Sequence, residues 1–329
     1  MNIYITLDYE LFFGPTSGSV EKCIIEPTEA LLEILDPHGI KASFFVDAGY
    51  LIALEKQRAD YQELQKDYLK VTTQIKDLAS KGHGIELHVH PHWEDSYYDG
   101  KKWVFNTTRY KLSDFGEEEV LDIVTNYTNI LKKITGKSPV AYRAGGWSAQ
   151  PFGPIGRALK ANGISIDSSV YPQGYYSSNN QSFDFRNVEP YQTDYRFSTV
   201  LTELDSKGDF QEIPISSIKV SPLFFWNFAF KKLKENTEHN SIGDGAAVPM
   251  SKKEAFRLMT SSSYSVVSID GFKISLINKA LKDYTKKTNN QGSFVLIGHP
   301  KAFTSYSLKK LKSFVDMTAQ QNSYTVYSK

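Results

Sequence analysis

The sequence has little cysteine and no excess of charge of either sign. Cys23 is the only cysteine among 329 residues, so an intrachain disulfide and a cluster of cysteine metal ligands are both excluded. The net charge is +1, which gives no support to nucleic acid or an anionic membrane as a partner. Hydrophobic residues make up 40% of the chain, a proportion typical of a folded globular protein.

Long apolar runs are also missing. The chain opens on Met1–Asp8 without the basic stretch and apolar run of a signal peptide. The longest apolar cluster, residues 223–230, is much shorter than the roughly 20 residues of a membrane span. We therefore expect a cytoplasmic protein without a transmembrane segment.

The hydrophobic pattern alternates between strands and helices along most of the chain. This alternation predicts parallel βα units, arranged either as a barrel or as a doubly wound sheet. We expect a single domain over residues 1–329, with little periodicity in 172–210 and an inserted helical segment at about 222–262. The predicted strands are 3–7, 41–46, 85–88, 140–143, 164–166, 212–215 and 293–298. The predicted helices start at Pro27 and cover 50–80, 117–134, 154–161, 272–286 and 308–319.

Four of the seven histidines lie close together: His83, His88, His90 and His92. Imidazole is a common ligand of divalent metals, and residues two apart on a strand share a face. Pro91 predicts a turn after His90, which would redirect His92. The pattern therefore indicates a metal site with open coordination positions, as in catalytic centres.

Other polar residues follow predicted strands. They are Asp8 and Glu10 after the first strand, Arg143 before Gly145 and Gly146, Asp167, and His299. Active sites of α/β proteins are built at the carboxyl ends of parallel strands. We therefore expect these residues at one mouth of the fold.

Together these motifs resemble the NodB-like polysaccharide deacetylases of carbohydrate esterase family four. The resemblance implies a distorted (β/α) barrel of about seven parallel strands with loop and helical insertions. It also implies a metal-dependent hydrolase that removes the N-acetyl group from an amino sugar of a polysaccharide or glycan precursor. The matching motifs are Thr6–Glu10, Gly82–His92, Arg143–Gly146, Ile166–Ser169 and Leu296–Pro300.

The resemblance assigns catalytic roles residue by residue. It makes Asp8 the general base and Arg143 the residue that orients it. His299 becomes the general acid, with Asp167 as its partner. The backbone amide of Gly146 is assigned to the oxyanion.

The resemblance also implies one divalent metal ion, which we expect to be zinc, with cobalt or nickel as alternatives. Its ligands would be His88, His92 and Glu10, because Tyr9 occupies the position of the family's usual second aspartate. His90 is a competing ligand.

Aromatic side chains suggest where substrate and partners bind. Trp93 and Trp147 are candidates for stacking on a carbohydrate that carries an N-acetyl group. For the aromatic segment Phe224–Phe230 we favour a core-facing helix over a lipid-carrier or partner surface. Two other functions remain open: hydrolysis of a cyclic amide or imide on the same fold, and glycan binding without catalysis.

Overall fold

The computed structural model describes residues 1–233 and 237–327. Residues 234–236, which fall in the predicted helical insertion, lie outside the described residues. The strands are β1 (Asn2–Tyr9), β2 (Ser43–Asp47), β3 (Gly84–Val89), β4 (Tyr97–Tyr98), β5 (Trp103–Val104), β6 (Ala141–Ala144), β7 (Ile166–Asp167), β8 (Tyr175–Ser177), β9 (Ser182–Asp184), β10 (Tyr195–Phe197), β11 (Phe210–Glu212), β12 (Ser217–Val220), β13 (Ser263–Val266), β14 (Ser293–Gly298) and β15 (Ser323–Tyr324). The α-helices are α1 (Glu26–Leu35), α2 (Ala48–Gln57), α3 (Gln62–Ser80), α4 (Glu117–Thr135), α5 (Phe152–Ala161), α6 (Pro222–Leu233), α7 (Lys252–Thr260), α8 (Ile277–Lys287) and α9 (Ser305–Thr318).

A mostly parallel sheet of nine strands forms the centre of the fold. Its order is β10, β11, β7, β6, β3, β2, β1 and β14, with β15 beside the start of β1. The strands from β11 to β14 in this order run parallel, and β10 is antiparallel to β11. The predicted fold, a distorted α/β barrel of about seven parallel strands, is confirmed.

Backbone hydrogen bonds curl the sheet toward closure. The amide of Ile215 donates to the carbonyl of Val170, which follows β7, at 2.8 Å. The next amide, of Ser216, donates to the carbonyl of Val295 in β14 at 3.0 Å. The segment after β11 therefore reaches the strand at the far edge of the sheet.

The core follows the pattern of apolar residues. In β1 the side chains of Ile3, Ile5 and Leu7 are fully buried. Helix α4 packs its apolar face inward and ends at Gly136, whose φ of 77° suits a residue without a side chain. Within the described part of the chain, none of the helices combines the length and apolar character needed to cross a lipid bilayer.

Several local predictions need correction. The predicted helix over 50–80 is observed as two helices, α2 and α3, and the predicted helix over 272–286 begins with a 3-10 turn (Gly271–Leu276) before α8. The predicted strand 212–215 is observed as β11, which ends at Glu212, because Pro214 has no N–H group to continue a ladder. The aromatic helix α6 was expected to face the core, yet Leu223, Trp226 and Phe230 are exposed. The apolar residues of this helix are not confined to one side, and only one side can pack against the protein.

Candidate active site

Asp8 is held by Arg143 at the carboxyl edge of the sheet. Nη1 of Arg143 donates to Oδ1 of Asp8 at 2.6 Å, and Nη2 donates to the hydroxyls of Thr6 and Ser168 at 3.0 and 3.1 Å. Nε donates to the carbonyl of Ser168 at 2.9 Å, and the guanidinium carbon lies 3.9 Å from the centre of the Phe45 ring. Because every nitrogen of this buried guanidinium has a partner, the position of Oδ1 is fixed.

The second carboxylate oxygen of Asp8 faces two imidazoles. Oδ2 lies 3.8 Å from Nε2 of His88 and 3.6 Å from Nε2 of His299. Burial raises the pKa of Asp8, but the charges of Arg143, His88 and His299 outweigh burial, and the pKa is lowered overall. Asp8 is therefore ionised at neutral pH, with one oxygen held and the other turned toward the site.

Glu10, His88 and His90 form a candidate metal centre. Their ligand atoms all lie within 4.8 Å of one another. Oε2 of Glu10 is 3.3 Å from Nε2 of His88 and 2.7 Å from Nε2 of His90. Ligand atoms about 2.1 Å from one zinc ion lie roughly 3–3.5 Å apart, so Glu10 and His88 fit a shared cation well.

The orientation of His88 also suits a metal ligand. Its Nδ1 donates to the carbonyl of Arg143 at 2.9 Å, which leaves the Nε2 lone pair toward the carboxylates. Burial lowers the pKa of His88, but the negative charges of Asp8 and Glu10 outweigh burial and bring it to about 9. The field at Nε2 therefore favours positive charge, which a metal cation would supply.

Lys301 holds the other oxygen of Glu10. Its buried ammonium donates to Oε1 of Glu10 at 2.8 Å and to the carbonyl of Leu11 at 2.5 Å. Burial raises the pKa of Glu10, but Lys301 and His90 lower it well below its usual range. Glu10 thus stays ionised and offers one oxygen to the cluster. Lys301 was not among the residues predicted from the sequence, although it directly follows the last motif, Leu296–Pro300.

His92, the ligand that the resemblance assigns, lies outside this group of ligand atoms. It belongs to a 3-10 turn (Pro91–Asp95), so the turn predicted from Pro91 redirects it. Its ring stacks on Trp93 and Tyr110, with centroid distances of 5.5 and 5.6 Å. Among the described residues neither ring nitrogen has a hydrogen-bond partner. The structure therefore brings His90 to Glu10 and leaves His92 beside them.

His299 is paired with Asp270. Nδ1 of His299 bonds Oδ2 of Asp270 at 2.7 Å, and the His299 amide donates to Oδ1 at 2.8 Å. Burial lowers the pKa of His299, but Asp270 and Asp8 outweigh it, and the pKa is raised overall. Both side chains are partly exposed, so the site opens to solvent beside them.

Asp167, which the resemblance assigns as the partner of His299, lies deeper in the sheet. Its carboxylate accepts from the amide and hydroxyl of Ser169 at 3.0 and 2.8 Å. In the register of β7 and β11 it is paired with Glu212, and burial raises the pKa of both carboxyl groups. Asp167 therefore belongs to a buried carboxyl pair, and Asp270 occupies the position beside His299 at which Asp167 was expected.

A third carboxylate, that of Asp47, stands at the end of β2 beside the cluster. Its Cα is the register partner of His88, and burial raises its pKa to about 7. The indole nitrogen of Trp93 donates to Oδ2 of Asp47 at 2.6 Å. Trp93 is buried, so it holds Asp47 and does not present its ring to a sugar. Asp47 could have been found from its position directly after a predicted strand.

The loop after β6 forms another wall. Gly146 has a φ of 58°, and a side chain there would meet Nε2 of Gln181 at 2.9 Å. The carbonyl of Gly146 accepts from that nitrogen at 2.7 Å. Trp147 is half-buried and packs edge-on against Tyr171 and Phe183, so part of its ring remains accessible.

The polysaccharide deacetylase family model matches residues 3–151 of this chain. This segment holds Asp8, Glu10, His88 and Arg143, whereas Asp270 and His299 lie beyond it. The match confirms the resemblance found in the motifs and supports the predicted enzyme class, a hydrolase acting on N-acetyl amide bonds. No curated protein sequence matches the chain.

Three solved structures show the fold with a TM-score of 0.51 each. A protein from Mycobacterium smegmatis described as a polysaccharide deacetylase is 16% identical, over 99% of this chain and 86% of that one. The PuuE allantoinase is 10% identical, over 100% and 87% of the two chains. A GH57-type branching enzyme from Pyrococcus horikoshii is 11% identical, over 99% and 68%. Since this fold serves different reactions, function has to be argued from the site.

Proposed function

We propose that this chain, which resembles the polysaccharide deacetylases over residues 3–151, is a metal-dependent N-deacetylase of an amino sugar in a polysaccharide or glycan precursor. The observation that carries the proposal is the position of Oδ2 of Asp8, between Nε2 of His88 and Nε2 of His299. A base, a metal ligand and an acid thus meet at one point. Metal-assisted amide hydrolysis uses these three functions together.

Glu10, His88 and His90 are the residues that would hold the cation. Two imidazole nitrogens with one carboxylate oxygen form a donor set that suits zinc, with cobalt or nickel as alternatives. A divalent ion there would lower the pKa of a bound water and polarise the acetyl carbonyl.

Asp8 is proposed as the general base. The attacking water gives a proton to Oδ2, while Arg143 keeps Oδ1 in place. The lowered pKa ensures that Asp8 is unprotonated and ready to accept at neutral pH. The new bond joins the water oxygen to the acetyl carbon, and the amide of Gly146 is proposed to stabilise the oxyanion.

His299 is proposed as the general acid. Its Nδ1 is tied to Asp270, so a proton on Nε2 faces the site and can pass to the departing amine nitrogen. The raised pKa favours the protonated imidazole that a proton donor requires. As the carbon–nitrogen bond breaks, the products are acetate and a free amino sugar.

The first test is metal content, measured by mass spectrometry on untagged protein purified without chelator. We expect close to one zinc ion per chain, lost in His88→Ala and retained in His38→Ala. His38 is a matched control because its imidazole bonds Asp316 on the surface at 3.0 Å. A protein that holds no zinc, cobalt or nickel would overturn the metal-dependent reaction.

The second test is acetate release from N-acetylglucosamine oligomers. Asp8→Asn keeps an oxygen for Arg143 but cannot accept a proton, so we expect turnover to fall by about 10³-fold with metal retained. Near-normal turnover in Asp8→Asn would rule out the base assignment. Turnover of a cyclic amide or imide in place of the acetylated sugar would support the alternative reaction.

A further inference from the structure

The insertion between β12 and β13 exposes an unusual amount of apolar surface. On α6, Leu223, Trp226 and Phe230 are 67%, 46% and 59% exposed, and Phe256 on α7 is 71% exposed. The three α6 residues are spaced by three and four positions, so they share one face of the helix. Single exposed apolar residues are common on proteins, but a concentration of them marks an interaction surface.

Helices α6 and α7 are packed together. The indole nitrogen of Trp226 donates to the carbonyl of Met259 at 3.1 Å, which joins the two helices. On the side of α6 toward the protein, Phe224 and Phe228 stack on Phe272 with centroid distances of 5.3 and 5.9 Å. The exposed residues therefore point away from the protein, while the inner side of α6 packs on Phe272.

Positive charge accompanies this surface. The net charge of the whole chain is only +1, but α6 and α7 have a single acidic residue, Glu254, against five basic ones. On α7 the exposed Lys252 and Lys253 precede Phe256 by four and three positions, so they lie on the same side of that helix. Lys231 on α6 lies on the inner side, with Nζ 4.7 Å from the centre of the Phe272 ring. The five basic residues are Lys231, Lys232, Lys252, Lys253 and Arg257.

The insertion also adjoins the candidate active site. Phe272, on which α6 stacks, follows Asp270 by two residues. Farther along the insertion, the amide of Gly243 donates to the carbonyl of Lys301 at 3.2 Å, and that of Ile242 to Phe303 at 2.8 Å. The surface is thus attached to the same segments that carry Asp270 and the lysine bound to Glu10.

We infer that helices α6 and α7 dock the protein on an anionic lipid bilayer, with their exposed aromatic and aliphatic side chains inserted at the interface. An apolar face bordered by lysines is the pattern of helices that lie in a membrane surface. A second copy of this chain fits less well, since a symmetric contact would bring the basic residues of both copies together.

Vesicle sedimentation of the full chain tests the inference without any substrate, so its result is independent of the proposed reaction. We expect binding to phosphatidylcholine vesicles that contain phosphatidylglycerol, much weaker binding to phosphatidylcholine alone, and release by added salt. Leu223→Ser/Phe230→Ser/Phe256→Ser is expected to weaken binding at least about tenfold. Val200→Ser/Leu204→Ser/Met317→Ser, which changes three exposed apolar residues elsewhere, serves as the matched control.

A measurement on the wild-type protein covers the case in which the triple variant fails to fold. Trp93 and Trp103 are buried and Trp147 is half-buried, so Trp226 is the most exposed indole. Brominated lipids in anionic vesicles should quench its fluorescence, and Trp226→Phe should remove the quenched component. Membrane docking would be overturned if neither quenching nor sedimentation with vesicles is observed. It would also be overturned by a concentration-dependent dimer that the triple variant of α6 and α7 abolishes.

Discussion

Both carboxylate oxygens of Asp270 bind His299, which follows it by 29 residues in the chain. One oxygen accepts from the backbone amide of His299 and the other bonds Nδ1 of its ring. Backbone and ring are therefore oriented by one side chain, and Nε2 is directed toward Oδ2 of Asp8 at 3.6 Å.

Replacing Asp270 should change the pH dependence of the reaction. The charge of Asp270 is the main cause that raises the pKa of His299 against burial. In Asp270→Asn that pKa falls, so the acid form is lost at lower pH. We expect the alkaline limb of kcat/KM to move down by about one pH unit and kcat at neutral pH to fall about 10- to 100-fold.

The control for this prediction is Asp167→Asn, measured by the same acetate assay across pH. Asp167 lies in the buried pair with Glu212, so the alkaline limb should stay in place even where stability changes. A shift in the Asp167 variant, with none in the Asp270 variant, would restore the pairing that the resemblance implies.

A pair of variants can identify the third metal ligand, which is either His90 or His92. His90 lies 2.7 Å from the Glu10 oxygen, whereas neither nitrogen of His92 meets a polar partner among the described residues. We expect His90→Ala to lower zinc affinity at least about 100-fold and His92→Ala to lower it less than tenfold. Competition with a chromophoric chelator measures both. The reverse order of effects would make His92 the ligand.

Arg143→Lys should destabilise the protein in spite of the retained charge. A lysine cannot bond Asp8, Thr6 and both groups of Ser168 in one plane, so buried acceptors lose their donors. We expect the free energy of unfolding to fall by about 2–4 kcal/mol in urea denaturation. The exposed pair of Arg157 and Glu117 gives a comparison, because Arg157→Lys should leave the free energy of unfolding nearly unchanged. Equal effects of the two substitutions would contradict this account.

His83 should make the free energy of unfolding depend on pH in the acid range. Burial, with Lys41 adding to it, lowers its pKa from 6.5 to about 4, and Nδ1 accepts from the amide of Ala42 at 3.1 Å. Because folding lowers the pKa of His83, the neutral imidazole makes its full contribution to the free energy of unfolding above pH 6.5. This contribution is lost as the pH falls through 4.

His83→Gln keeps an acceptor for Ala42 but does not titrate. The decrease in unfolding free energy from pH 7 to pH 4 should therefore be smaller in the variant, by about 1–2 kcal/mol once solvent screening is considered. Parallel stability curves for the two proteins would show that His83 is not the titrating group.

The sequence alone determined the order of the motifs along the chain and most of the residues at the carboxyl edge of the sheet. Asp8, Glu10, His88, Arg143 and His299 each lie within or directly after an apolar strand, and a parallel sheet brings such ends together. The alternation of side chains along a strand predicted that His88 and His90 share a face, and Pro91 predicted that His92 turns away from them. These inferences need only local geometry, so one sequence was enough.

The tertiary structure decided which side chains meet. Asp270 reaches His299 because the segment before it lies beside β14, where the amide of Ile269 donates to Ile297 at 2.9 Å. Asp167 pairs with Glu212 because β7 lies beside β11. Neither neighbour relationship follows from local pattern, since each joins residues far apart in the chain. The exposure of Trp226 was likewise settled by packing, because an apolar helix can bury only the side that another element covers.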